Sequence, residues 1–396
     1  MIIGAICFKL ARIKKNRIVF SSYNGKYSDS PLYISNEILK KYPNIDVIWS
    51  VEKGKAGIIP PNIKTVKYGS IKDKRIRGSA AAIVDNLWCG KSYKVFKDDK
   101  LGHLKGKVHY FFCKKKGQKA YSTWHGTPIK CMDRDQFGNN IIDFFCPDFL
   151  FVLNNKYTSD IMIHLSFERV GSVLLGSPRN EILYNNDLIP QIKEKLGLPQ
   201  EKKMLLYAPT FRNDGNDTDG KNIARSGLEQ LDSLNIDSLL NVLKNKFGGE
   251  WFIVCRFHYH VASMVNWDEL KRKYNNKIVN GNESENMEEY LACADVLLTD
   301  YSSCMFDYAP TKKPCFLYSL DYEHYKNVER GFYIDVKKMP FSFSENANEL
   351  ESSIESFDKS KYEGKIDEMI HDMGFVDDQN SASKIADFIV KGLNIC

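Results

Sequence analysis

Along the chain, short runs rich in β-branched and aromatic residues alternate with stretches whose apolar side chains recur every three or four positions. The first kind suits strands and the second suits helices. In the first half, residues 17–23, 46–51, 81–86, 120–125, 149–153 and 173–175 read as strands, with helices at 31–41 and 159–167. In the second half, strands are expected at 203–207, 251–256, 277–280, 296–299 and 314–318, and helices at 287–294 and 304–309. Such alternation predicts parallel sheets wrapped by helices. A ligand then sits beyond the carboxyl ends of the strands. The polar stretch 188–203, with Pro190 and Pro199, separates two domains, 1–188 and 189–396, the last helix being free to pack back on the first. Two similar α/β halves with facing rims would leave a cleft for a ligand.

Composition narrows the class. With 396 residues, 43% of them hydrophobic, the chain can bury two sizeable cores. No run of 18 apolar residues occurs, so no membrane-spanning helix is expected. Residues 1–10 are apolar and are followed by Arg12, Lys14, Lys15 and Arg17, the reverse of a cleaved signal peptide. They read either as a buried first segment or as a short amphipathic anchor on an anionic membrane face. Residues 105–119 mix aromatics with clustered lysines, among them Lys114, Lys115 and Lys116. They suit a membrane interface or a solvated basic loop with one buried aromatic edge. Ten cysteines are scattered without a C-x-x-C pair, which argues against a zinc ribbon or a disulfide framework. Cys255, Cys293, Cys304 and Cys315 fall in apolar stretches and read as small core residues. A formal charge of +6 fits anionic substrates or a lipid surface and is too weak to indicate nucleic acid.

Candidate chemistry gathers at expected strand ends. The stretch 121–129 reads as a strand, a tight turn at Gly126, and a helix with Pro128 in its first position. An anion could rest on that first turn beside His125, whose side chain titrates near neutrality. Four further clusters occupy the same edge: 176–180 with Arg179, 207–212 with Pro209, Thr210 and Arg212, 256–258 with Arg256, Phe257 and His258, and 299–303 with Asp300, Ser302 and Ser303, followed by Asp307. Planar guanidinium groups match phosphate oxygens, so Arg179, Arg212 and Arg256 could meet a diphosphate. Ser302 and Ser303 read as a helix start, where hydroxyls and free N–H groups point together. Asp307, on the same helical face, would meet hydroxyls or a histidine. Taken singly, the His125 turn is a helix cap, Arg256 a surface charge and the serine pair a plain N-cap. His258 and His260 alternate on an expected strand, so one of them could simply face solvent. Residues 213–227, rich in Asn, Asp and Gly, are either a mobile flap or a surface loop. No G-x-x-x-x-G-K-[ST] loop occurs, which argues against an NTPase of that type. No Asp-x-Asp stands in a metal-binding setting, which disfavours a metal-dependent single-domain glycosyltransferase.

In combination and order, these segments resemble the CDP-glycerol glycerophosphotransferase family of teichoic acid primases and polymerases. The resemblance runs from 18–25 through 83–86, 124–128, 176–180, 207–212, 256–258 and 299–308 to Arg330, Gly331, Phe332, Tyr333 and Asp335. It implies two Rossmann-like domains facing a cleft, a glycosyltransferase-B-like arrangement. It also implies transfer of a polyol phosphate from a CDP-polyol, glycerol favoured over ribitol, with release of CMP. The acceptor would be an undecaprenyl-linked glycan or a polyol-phosphate polymer, and the work would be done peripherally at the cytoplasmic face of the bacterial membrane. His125 matches the catalytic base and His258 the second essential histidine. Trp124, Gly126, Thr127, Pro128, Arg179, Pro209, Thr210, Arg212, Arg256, Phe257, Asp300, Ser302, Ser303 and Asp307 match substrate-binding positions. No cofactor is firmly indicated; Mg2+ is possible. Three positions depart from the pattern: Glu181 replaces an Asp, Tyr259 replaces a Pro, and 339–343 replace a Pro-Gly-Pro-like turn. Readings from other classes are a nucleotide-sugar glycosyltransferase on the same fold and a non-catalytic membrane-surface module that binds polyanions.

Overall fold

The computed structural model describes residues 2–393 except 53, 55–58, 88–92, 97–98, 133–140, 145–146, 154, 163–170, 213–227, 330 and 377–378. The chain divides into two compact units. Unit 1 holds residues 1–127, 132–181 and 373–396; unit 2 holds 128–131 and 182–372.

Unit 1 contains strands β1 (Lys14–Phe20), β2 (Asp46–Val51), β3 (Lys64–Lys67), β4 (Ala80–Asp85), β5 (Tyr93–Phe96), β6 (Lys119–Ser122), β7 (Ile141–Phe144), β8 (Phe149–Val152) and β9 (Gly171–Leu174). Among the described residues, seven of them form a parallel sheet in the order β3-β2-β1-β4-β6-β8-β9. The chain winds outward from β1 in one direction and from β4 in the other, the doubly wound pattern that leaves a switch point between β1 and β4. β5 and β7 pair antiparallel beside it. β4 is buried along its whole length, as a parallel strand covered on both faces should be. One face packs Ile18, Phe20, Trp49, Val84 and Tyr121 against Ile34 and Ile38 of α2 (Asp29–Lys41) and against Ile385 and Ile389 of the helix Ser381–Lys391. The other face sets Val19, Ile48 and Ile83 against Ile76 of α3 (Ile71–Gly78). α1 (Ile2–Leu10) lies on α3. A Cβ on Gly78 would stand 2.1 Å from the Phe8 carbonyl oxygen, so only glycine admits this approach.

Unit 2 repeats the plan with β10 (Lys203–Ala208), β11 (Trp251–Cys255), β12 (Ile278–Asn280), β13 (Val296–Thr299), β14 (Cys315–Tyr318) and β15 (Ser342–Ser344). These six are parallel, in the order β12-β11-β10-β13-β14-β15, with the switch point between β10 and β13. Leu205, Ile253, Leu298 and Phe316 meet Leu239 and Leu243 of the helix Ile236–Phe247 and Leu350 and Ile354 of the helix Ala347–Glu355. Cys255, Cys293, Cys304 and Cys315 are buried free thiols, as their apolar settings suggested.

Every expected strand is present, shifted by a few residues at most. Several expectations fail. β6 stops at Ser122 because Trp124 takes φ 53, and no helix follows at Pro128. Instead, residues 129–131 pair with 331–333: Lys130 bridges Phe332, and the Tyr333 N–H donates to the Ile129 carbonyl. The basic aromatic stretch is not a loop: most of it is the helix α4 (Lys100–Cys113). His258 and His260 do not alternate on a strand, since β11 ends at Cys255 and a short helix Tyr259–Ala262 follows. The expected helix 159–167 is seen as Asn155–Met162, its remainder lying outside the described residues, as do the 213–227 segment and Arg330.

Candidate active site

In unit 1, three neighbouring strands deliver the polar residues. β1 runs into Ser21 and Ser22, both fully buried, and then into a turn through Tyr23 (φ 40), Asn24 (φ 61) and Gly25 (φ 120). The Ser22 carbonyl accepts from the N–H groups of Gly25 and Lys26 and closes this turn. β4 delivers Asp85 and Asn86, and β6 delivers Trp124 and His125. The Tyr23 N–H donates to the Asn86 side-chain oxygen at 2.9 Å. His125 Nδ1 lies 3.1 Å from the Asn86 carbonyl oxygen. A carbonyl only accepts, so Nδ1 carries the proton and Nε2 keeps its lone pair. The imidazole is half-buried, with its centroid 4.4 Å from the Trp124 ring. Burial holds its pKa below the ordinary value, against the Asn86 bond and the Asp29 charge, while Arg179 acts with burial. His125 is therefore a neutral acceptor at pH 7. Asp85, one residue before Asn86, is pushed up to about 6 by burial.

Arg179 does not point an uncommitted fork at a phosphate site. Its Nη1 donates to Asp29 Oδ2 at 2.8 Å, and both side chains are largely buried. Burial works against the Asp29 charge, but Arg179, the Ser30 N–H and the Tyr23 hydroxyl outweigh it and hold the carboxyl below its ordinary value. Nearby, a Cβ on Gly176 would stand 2.2 Å from Ser381 Oγ. The Glu181 carboxylate accepts from the Ala382 N–H at 2.6 Å, at the start of the helix Ser381–Lys391. Glu181, noted as a departure, thus serves a helix start.

In unit 2, the loops after β10, β11, β13 and β14 share one edge. Asp300 is fully buried and accepts from the Thr210 N–H at 2.8 Å, the Tyr301 N–H at 2.5 Å and Arg212 Nη1 at 2.8 Å. Arg212 also forks onto Asp321 through Nε at 2.7 Å and Nη2 at 3.0 Å, and lies over the rings of Tyr301 and Tyr325. Two carboxylates thus already occupy the guanidinium expected to meet a diphosphate, and they raise its pKa further despite burial. Arg256 is likewise engaged. It donates to the carbonyls of Gly281, Ser284 and Glu285 and covers Tyr290, fixing the loop after β12. Phe257 is buried and exchanges two bonds with Asn282. His258 is exposed, 4.8 Å from the Phe211 ring.

Ser302 and Ser303 precede the helix Cys304–Tyr308, with Ser303 as its N-cap. Its five residues give little dipole, so any anion held here would rest on hydroxyl and N–H groups rather than on a macrodipole. Thr210 Oγ1 is buried without a partner among the described residues. Pro209 and Asp307 are buried, Asp307 on the helix after the serine pair. Pro128 belongs to unit 2, at the start of the segment that pairs with 331–333, whereas Trp124, Gly126 and Thr127 stay in unit 1. Among the described residues, no group of three His, Cys, Asp or Glu could hold a metal ion.

Sequence reasoning passed over Tyr23, Asp29 and Asn86 as chemistry, although 18–25 and 83–86 lay within the family segments. Asp321 was missed altogether. The available signal was position: Tyr23, Asp29 and Asn86 follow strands that border the switch point of unit 1, and Asp321 follows β14.

Two doubly wound α/β units with polar residues at the carboxyl ends of their strands define a glycosyltransferase-B-like fold. The chain belongs to the CDP-Glycerol:Poly(glycerophosphate) glycerophosphotransferase family, whose profile matches residues 5–391. It is 28% identical to the teichoic acid poly(glycerol phosphate) polymerase of Staphylococcus epidermidis, over 96% of this chain and 51% of that protein. It is also 28% identical to the teichoic acid glycerol-phosphate transferase of Staphylococcus aureus, over 88% of this chain and 86% of that one. The chain thus spans about half the length of the polymerase it matches. A variant of the wall teichoic acid polymerase TagF superposes with a TM-score of 0.76 at 25% identity, covering 98% of this chain and 93% of that one.

Proposed function

We propose that this chain transfers a polyol phosphate, glycerol phosphate in the first instance, from a CDP-polyol to a hydroxyl of a lipid-linked glycan or polyol-phosphate polymer. The observation that carries this reading is the His125 bond to the Asn86 carbonyl, which leaves Nε2 as a proton acceptor at the carboxyl edge of a doubly wound sheet. Nε2 takes the acceptor hydroxyl's proton as that oxygen bonds to the polyol-side phosphorus. The bond from this phosphorus to the bridging oxygen breaks, and CMP leaves with the electron pair. Unit 2 supplies the donor-binding groups: His258, the Ser302 and Ser303 hydroxyls, and Thr210. Arg212 and Arg256 act one step back, by holding the loops that present them. Positioning and charge neutralisation supply most of the rate in phosphoryl transfer.

Membrane attachment through unit 1 belongs to the same proposal. α1 exposes Ile3, Ile6 and Leu10, and its neighbour α4 exposes Leu101, Leu104 and Val108, each an i, i+3, i+7 stripe. Arg12, Lys14, Lys15, Lys100, Lys105 and Lys107 are exposed along these segments. Apolar stripes bordered by cations suit the interface of an anionic bilayer. Lys114 and Lys115 are not part of this surface, since they bond to Asp148 and to the Ala11 carbonyl. No described helix is long and apolar enough to cross a membrane.

The test is to incubate the protein with CDP-glycerol and CDP-ribitol separately, with lipid-linked acceptors, and to weigh the products. CMP release with a mass gain of one polyol phosphate is expected. Release of a nucleoside diphosphate from a nucleotide sugar, and none of CMP, would replace this reading by sugar transfer.

A further inference from the structure

We infer that Asp29 is a positioning residue for His125, acting through Tyr23 and Asn86 and clamped by Arg179. The inference rests on the proposed role of His125. Arg179 Nη1 and the Tyr23 hydroxyl both donate to Asp29 Oδ2, at 2.8 and 2.9 Å. The Tyr23 N–H then holds the Asn86 side chain, and the Asn86 carbonyl holds His125 Nδ1. The Tyr23 ring meets the imidazole edge-on, with centroids 6.1 Å apart and planes at 67°. Tyr23 therefore touches the histidine and also the residue that orients it, while Asp29 fixes Tyr23. Both Tyr23 and Asp29 have left-handed backbones, at φ 40 and 61. Such residues are strained and persist only where their surroundings hold them. The Asp29 carboxylate supplies that hold, 4% exposed and so shielded from competing water. Asn86 Nδ2, by contrast, is buried without a partner among the described residues. The Asn86 side chain is thus placed by its bond to Tyr23 rather than by full satisfaction of its amide.

Among the described residues, the titratable groups around the imidazole are Tyr23, Asp29 and Arg179, with Asp85 behind Asn86; the Asp29 and Arg179 charges act on it in opposite senses. Removing Asp29's charge leaves Arg179 dominant and moves the His125 titration to lower pH.

The experiment compares Asp29→Asn, Tyr23→Phe and His125→Ala with the unmodified protein. It reads kcat and KM for CDP-glycerol, and the imidazole titration by NMR, with the His125 signal assigned by its loss in His125→Ala. Asp29→Asn should lower kcat about ten- to hundredfold, as small displacements of a reacting group do, with KM for CDP-glycerol unchanged. Its His125 titration should fall. Tyr23→Phe keeps the Asp29–Arg179 ion pair and so guards against misfolding; it should lower kcat in the same direction by less. Unmodified kcat and titration in Tyr23→Phe would overturn the inference. Activity retained in His125→Ala would instead overturn the base assignment, and the NMR titrations would still report whether Asp29 governs the imidazole.

Discussion

Replacing Arg212 by Met tests whether this guanidinium supports the protein or grips a ligand. The side chain is buried and faces Asp300, which has no exposure, and Asp321, which is partly exposed. In Arg212→Met, Asp300 keeps the Thr210 and Tyr301 N–H groups but loses the Arg212 cation, while Asp321 can turn to water. Breaking a buried pair by removing one partner costs about 3–5 kcal/mol. The Asp321 pair adds at most about 1 kcal/mol, because water reaches it. For a unit of this size each kcal/mol lowers the melting temperature by about 2–4 °C, so a fall of about 6–24 °C is expected by calorimetry. Adding Asp300→Asn removes the stranded charge while its amide oxygen can still accept from the backbone, so the double variant should recover part of the loss. A fall under about 1 kcal/mol, with a large rise in KM for CDP-glycerol, would refute the reasoning and return Arg212 to the diphosphate.

Three further outcomes follow from the same geometry. His125→Ala should lower kcat by about 10²–10⁴-fold with the melting temperature unchanged, since general-base assistance is worth that much; kinetics and calorimetry on one sample decide it. The base works deprotonated and its pKa lies below 6.5, so the acidic limb of kcat/KM should fall below pH 6.5; a limb above 7 would exclude His125 as the base. Ile6→Glu with Leu104→Glu places two carboxylates on the exposed stripes and should abolish flotation with anionic liposomes while leaving transfer to a soluble acceptor intact; unchanged flotation would show that another surface docks.

The strands were legible because parallel strands covered on both faces must be apolar almost throughout. β4, β10 and β13 show this plainly. β3 was not legible: at the sheet edge, with three of its four residues exposed, it can be Lys-Thr-Val-Lys and carry no apolar run. α4 was hidden by Gly102, Gly106 and its lysines, which break the helical period. At the site, the sequence placed the arginines correctly at strand ends, but their partners lie far along the chain. Arg179 meets Asp29, 150 positions away, and Arg212 meets Asp300 and Asp321, 88 and 109 positions away. Local pattern shows a cation; only folding shows whether its charge is already answered.

The errors around Trp124 have a different cause, and they identify what unit 1 is built to hold. Tyr23, Asn24, Asp29 and Trp124 all adopt left-handed backbones on the loops that follow β1 and β6. Propensity opposes this for Tyr23 and Trp124, though less for Asn24 and Asp29, so a reading by propensity extends the strand to 125 and starts a helix at 128. What overrides it is side-chain bonding: Tyr23 to Asp29 and Asn86, Asn24 to the Tyr68 hydroxyl, Asp29 to Arg179, and the Trp124 N–H to Ser122 Oγ. The strain and the bonds that offset it surround one imidazole. Among the described residues, the rim of unit 2 has no such cluster; there, buried charge pairs hold the loops. A base must keep one orientation to within a fraction of an ångström, whereas a donor is gripped at several points at once. The two rims share a topology, and each is stiffened in the way its proposed task demands.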